Sequence, residues 1–140
     1  MEKISTGIKG FDDIMGGWYP GDNVVWQVED INNYRHVANV FAKKSIADGK
    51  KVNYIRFGKG NPVIDDLDSV NLFELDLEKG FEEFTMSVHR IIKTQSENAV
   101  YVFDSLTYIQ RGWYSDLMTV NFFKVTCPYL YKIGAVAYFS

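Results

Sequence analysis

Apolar positions along this chain follow two rhythms, short runs and helical stripes, and the two alternate. Val24, Val25, Trp26 and Val28, interrupted only by Gln27, form one run, and Ala99–Phe103 forms another; both read as buried strands. Between them Tyr34, Val37, Ala38, Phe41 and Ala42 recur at helical spacing. That stripe predicts a helix from the polar loop Glu29–Asn33 to Ala47-Asp48-Gly49, with Gly49 as its left-handed cap. Phe81, Phe84, Val88, Ile91 and Ile92 mark a helix over about Glu78 to Glu97, its acids early and its bases late, as the helix dipole favours. A further helix is expected within Tyr114 to Thr126, closed by Cys127-Pro128, and further strands at Lys51–Phe57, Val70–Leu75 and Ala135–Phe139. Gly58–Pro62 breaks the pattern, and Val63–Ser69, with Asp65, Asp66 and Asp68, reads as loop. Ahead of all this, Ile8, Phe11, Ile14 and Met15 give a short helix one apolar face. Ser5 and Thr6 are capping types, Gly16-Gly17 ends it, and Pro20-Gly21-Asp22 turns the chain into the first strand.

Strands alternating with helices predict a three-layer α/β fold with a mostly parallel sheet. Ala99–Phe103, ending in Asp104-Ser105, is the pattern of a central strand buried on both faces. The sequence stops one residue after a predicted strand, without a covering helix, so the expectation is a C-terminally truncated fold. The 140 residues are then one domain of a longer chain, or a partner supplies the missing layer.

Composition narrows the function. A net charge of -3 speaks against a nucleic-acid partner, whose footprint is a basic patch. No apolar run is long enough to span a membrane, and Met1–Ser5 lacks the apolar core of a signal peptide, so the expected setting is cytoplasmic, away from membranes. The single Cys127 excludes an internal disulfide and, without ligand-spaced partners, a metal site.

Three stretches together resemble the RecA-like ATPases, especially the branch of the circadian-clock protein KaiC and its archaeal relatives. They are Ile4–Asp12 followed by Gly16-Gly17 and Pro20-Gly21-Asp22; the strand–loop–helix of residues 23–44; and Val100–Ser105, similar to a Walker B strand ending in aspartate. A narrower resemblance lies in Gly21–Val28, Trp113–Asp116 and Asn121-Phe122-Phe123 through Thr126–Tyr131, which look like a module upstream of phosphoenolpyruvate (PEP) synthase-type enzymes. It implies a P-loop type fold and an N-terminal, regulatory part of such a protein, whose catalytic domains would lie elsewhere.

The chemistry of a phosphate loop is missing. G-x-x-x-x-G-K-[ST] supplies glycines for close backbone approach, a lysine for the phosphates and a hydroxyl for Mg²⁺. Here the two glycine positions fall on Val28 and Asn33, the lysine on Tyr34 and the hydroxyl on Arg35, while Glu29 and Asp30 add negative charge. Losing the lysine and adding one repulsion weakens triphosphate binding on the order of a thousandfold, about 4 kcal/mol. Asp30, Asn32 or Asn33 would instead cap the helix. The family's catalytic glutamate falls at Gly58-Lys59.

The leading expectation is therefore a pseudo-ATPase without catalytic residues, cofactor or metal. It would work through protein contacts, with copies of itself or with linked catalytic domains. The alternative is an ATP-binding enzyme with a non-standard phosphate loop, Arg35 and Lys59 supplying charge and Asp104 the Mg²⁺ ligand. Asp104-Ser105 reads as a vestigial nucleotide site or a strand-end cap, and Arg35 with His36 as an anion contact or a solvated helix face. His89 reads as packing. The aromatic group Trp113, Tyr114, Phe122, Phe123, Tyr129 and Tyr131, with Asp116, reads either as core under the last strand or as a docking surface. Trp18-Tyr19 is a candidate second patch.

Overall fold

Asp30 starts the helix that organises the fold. Its side chain accepts the N–H of Asn32 at 2.9 Å, which caps the first turn of α2 (Ile31–Ala47). Tyr34, Ala38, Phe41 and Ala42 of that helix are buried as their spacing requires, and Gly49, at φ +81°, follows its end. The computed structural model describes residues 2–58, 60–113 and 116–140, with the side chains of residues 110–113 outside the description.

Before α2 come α1 (Lys9–Met15) and β1 (Asn23–Val25); after it come β2 (Lys51–Arg56), β3 (Asn71–Glu74), α3 (Phe81–Thr94), β4 (Ala99–Asp104), α4 (Leu106–Trp113), α5 (Asp116–Lys132) and β5 (Ala137–Phe139). Among the described residues five strands form one all-parallel sheet in the order β1-β5-β4-β2-β3. Every residue of β4 is buried, as a central parallel strand demands. Side chains alternate between its faces. Val100 and Val102 join Val52, Tyr54, Val136 and Tyr138 under α2, while Tyr101 and Phe103 join Ile55, Ala137 and Phe139 under α3 and α5. Helices on both faces of one sheet make the three layers of the expected α/β fold.

Several expectations are corrected. β1 is three residues long and lies at the sheet edge, with Asn23 and Val25 exposed, so the buried strand expected at Val24–Val28 is not formed. α1 buries none of its residues, and Ile14 is 87% exposed. Ser5 and Thr6 do not cap it. Ser5 Oγ donates to Asp12 Oδ2 at 2.5 Å, and Thr6 donates to Oδ1 through N–H at 2.9 Å and hydroxyl at 2.8 Å. This knot holds the lead-in against α2, where Gly7 (φ +81°) leaves no room for a Cβ beside the Val40 carbonyl. The helix expected from Glu78 begins at Phe81, after a 3-10 turn over Leu77–Lys79. α4 follows β4 where no helix was expected. α5 runs through Pro128, because burial of Phe122, Thr126 and Leu130 outweighs the one backbone hydrogen bond that proline forfeits.

Candidate functional site

In an open α/β sheet the loops leaving the carboxyl ends of the strands form the ligand edge. Here they gather the loop after β1 with the head of α2, residues 57, 58 and 60–62 after β2, and Asp104 onward after β4. A cleft of about 400 Å³ between them is lined by Asn32, Arg35, Asn61, Asp104, Ser105 and Thr107, among others. The sequence-derived residues Arg35, Asp104 and Ser105 are thus brought together.

Their bonding decides what they can do. Asp104 and Ser105 are 5% and 6% exposed. The Tyr54 hydroxyl donates to Asp104 Oδ2 at 2.5 Å, and Arg56 Nε lies 3.6 Å from the same oxygen. Arg56 is the register partner of both Asp104 and Glu74, so acid, base and acid form one row across β4, β2 and β3. The far side of the guanidinium sits 3.7 Å from Glu74 and donates to the Gly60 carbonyl. Burial, and then the hydrogen bond to Asp104, push the Tyr54 hydroxyl well above its ordinary pKa. The same hydroxyl accepts the Val63 N–H at 2.8 Å, pinning the loop after β2.

The head of α2 is equally committed. Tyr34, at the lysine position of a phosphate loop, is fully buried, and its hydroxyl donates to the Phe103 carbonyl at 3.0 Å. Burial, then the charge of Asp104, hold that hydroxyl far above its usual pKa. Arg35 donates to the Pro62 carbonyl at 2.6 Å and to Asp65 at 3.2 Å, so its charge is shared with the protein's own loop, while His36 is exposed. At Gly58, the position that the resemblance to RecA-like ATPases aligns with a catalytic glutamate, a Cβ would collide with the Tyr108 ring. Lys59 lies outside the described residues.

The aromatic group divides. Phe122 is fully buried between Phe84 (5.4 Å) and Phe103 (6.4 Å), and Phe123 packs on Phe139 at 5.2 Å. The Phe122 ring belongs to the core and offers no docking surface. Tyr129 stacks on His89 at 5.5 Å, and Tyr131 is 71% exposed. Asp116 opens α5 on the surface. Trp113 ends α4 with its side chain outside the description, and Tyr114 lies outside the described residues. Trp18 is held inward, its indole N–H donating to the Tyr138 hydroxyl at 2.9 Å.

Reading the sequence alone misses three participants. Arg56 has a signal, a charge at the end of an apolar strand; Tyr54 and Tyr108 have none, because their roles arise only from strand register and the α4 crossover. The outward side of α5 is missed as well: Leu117, Val120 and Val125 are exposed there. Among the described residues no three His, Cys, Asp or Glu side chains gather as a metal site, and no helix is long and apolar enough to cross a membrane. Compared with known protein families the sequence matches none, and a search among curated proteins finds no relative.

Proposed function

We propose that this chain is a non-catalytic module of RecA-like, P-loop type: a pseudo-ATPase that acts by protein contacts. The observation that carries this reading is Tyr34. The residue at the phosphate-lysine position faces into the core and holds the end of β4. Asp30 capping α2, and Asp104 satisfied by Tyr54 and Arg56, agree with it. Tyr34, Arg35 and Asp104, at the lysine, hydroxyl and Walker B aspartate positions, are each bonded within the protein. Leu117, Val120, Val125 and Tyr131 along α5 give it apolar surface for a partner, either a second copy or the linked domains of a PEP synthase-like protein that it would regulate.

One observation favours the second reading, an ATP-binding enzyme with a non-standard loop: Arg35, Asp104 and Ser105 do line one cleft. Calorimetric titration with ATP and Mg²⁺ separates the two. The module reading expects no saturable heat up to about 1 mM nucleotide. Saturable micromolar binding abolished by Asp104→Asn would overturn it in favour of the enzyme.

A further inference from the structure

A second cleft lies on the other side of Arg56 and is used by neither reading above. It sits between the carboxyl ends of β2 and β3 and the first turn of α4, with a volume of about 640 Å³, within the range of small-molecule sites. Phe57, Leu75, Leu77 and Tyr108 give it an apolar and aromatic lining. The backbone of Gly58 and Gly60 completes it, because any side chain at either position would strike Tyr108.

Charge decides what such a cleft accepts. Glu74, Asp76 and Glu78 bring three carboxylates to it. Asp76 spends one oxygen on the Glu78 N–H at 2.9 Å, and the Glu78 carboxylate has no partner among the described residues. Arg56 is the one cation among the described lining residues; it is ion-paired with Asp104 at 3.6 Å and Glu74 at 3.7 Å and donates to the Gly60 carbonyl, while its buried Nε makes no hydrogen bond. Among the described lining residues an anion would therefore meet three carboxylates and an arginine already paired with two acids. A cation on an apolar body would meet carboxylates, a hydrophobic wall and a tyrosine ring able to face it.

We infer that this cleft binds a small organic cation, an ammonium or guanidinium group carried on an aromatic or aliphatic body. The assignment is independent of the pseudo-ATPase reading, since it uses neither the head of α2 nor nucleotide.

The test is an amide-resolved NMR titration of the whole chain with three compounds of one shape and different charge: phenethylamine, phenethyl alcohol and phenylacetate. Phenethylamine is expected to give saturable shifts at the amides of Gly58, Gly60, Leu75 and Leu77, weakening as salt is raised. Phenethyl alcohol binds about tenfold more weakly and phenylacetate gives no saturable shift. The double variant Glu74→Gln, Glu78→Gln, its spectrum unchanged elsewhere, loses about tenfold for phenethylamine and nothing for the alcohol. Equal binding of phenylacetate at these amides would overturn the assignment, as would the absence of a saturable response to phenethylamine up to about 20 mM. A response to capped arginylphenylalanine alone would also overturn it, by moving the site from a small molecule to a protein partner.

Discussion

Tyr54 and Asp104 meet across neighbouring strands, hydroxyl to carboxylate at 2.5 Å. Tyr54 is the register partner of Val102, so Asp104 lies two residues further along β4 on the same face. With Arg56 on the same oxygen, this makes Asp104 a buried anion whose partners are built in. Asp104→Ala takes the acceptor from the buried Tyr54 hydroxyl and leaves the buried Arg56 only Glu74 and the Gly60 carbonyl, and should cost about 3–5 kcal/mol of stability. Asp104→Asn keeps an acceptor for Tyr54 and should cost less. Tyr54→Phe removes the donor and leaves the Val63 N–H without its acceptor, for a loss of about 1–3 kcal/mol. Urea unfolding of the three variants ranks them, and an Asp104→Ala protein as stable as the parent would contradict this account.

Gly58 and Tyr108 form a second pair that reports on the site. Gly58→Ala forces a methyl group into the tyrosine ring and should destabilise by about 1–3 kcal/mol. If the collision is the cause, adding Tyr108→Ala relieves it. The double variant then loses less than the sum of the two single losses, and a double-mutant cycle by chemical denaturation measures the difference.

Capping of α2 predicts a smaller effect. Asp30→Ala removes the acceptor for the Asn32 N–H and should lower stability by about 1 kcal/mol, while Asp30→Asn stays near the parent. Thermal unfolding of the pair, read beside the parent protein, distinguishes a cap from an ordinary surface carboxylate.

Two groups contribute to the acid limb of the stability curve. Burial raises the Asp12 pKa, but the bonds from Ser5 and Thr6 outweigh it and leave the carboxyl below its ordinary 3.8. Its contribution is complete above that value and disappears as pH falls through the lower native pKa. Burial alone lowers the His89 pKa below its ordinary 6.5. The unfolded chain therefore takes up that proton first, and stability drops as pH falls below 6.5 toward the native value. Urea midpoints from about pH 8 to about pH 3 should show an upper step lost in His89→Gln and a lower one lost in Asp12→Asn.

What could be read from the sequence was what local period encodes. The stripe Tyr34, Ala38, Phe41 and Ala42 fixes α2 and its buried face, and the run ending at Asp104 fixes the central strand. Period does not say whether an apolar face finds a partner, which is why α1 leaves Ile14 outside. Nor does it carry register, so the Asp104–Arg56–Glu74 row and the Tyr54 bond were invisible although Asp104 itself was legible. Pro128 is a strong local stop that tertiary packing overrode, and α4 begins one residue after β4, without the loop that usually announces a helix.

Residues 23–25 find their ladder partner only at residues 137–139, and that late strand is wedged between β1 and β4. A chain still emerging from the ribosome can therefore assemble β2, β3 and β4 with their helices, yet it has nowhere to lay its first strand. Closing so long a loop is slow, so the edge carrying the α2 turn should be the last part to become native, and the first exposed to proteases if synthesis stalls.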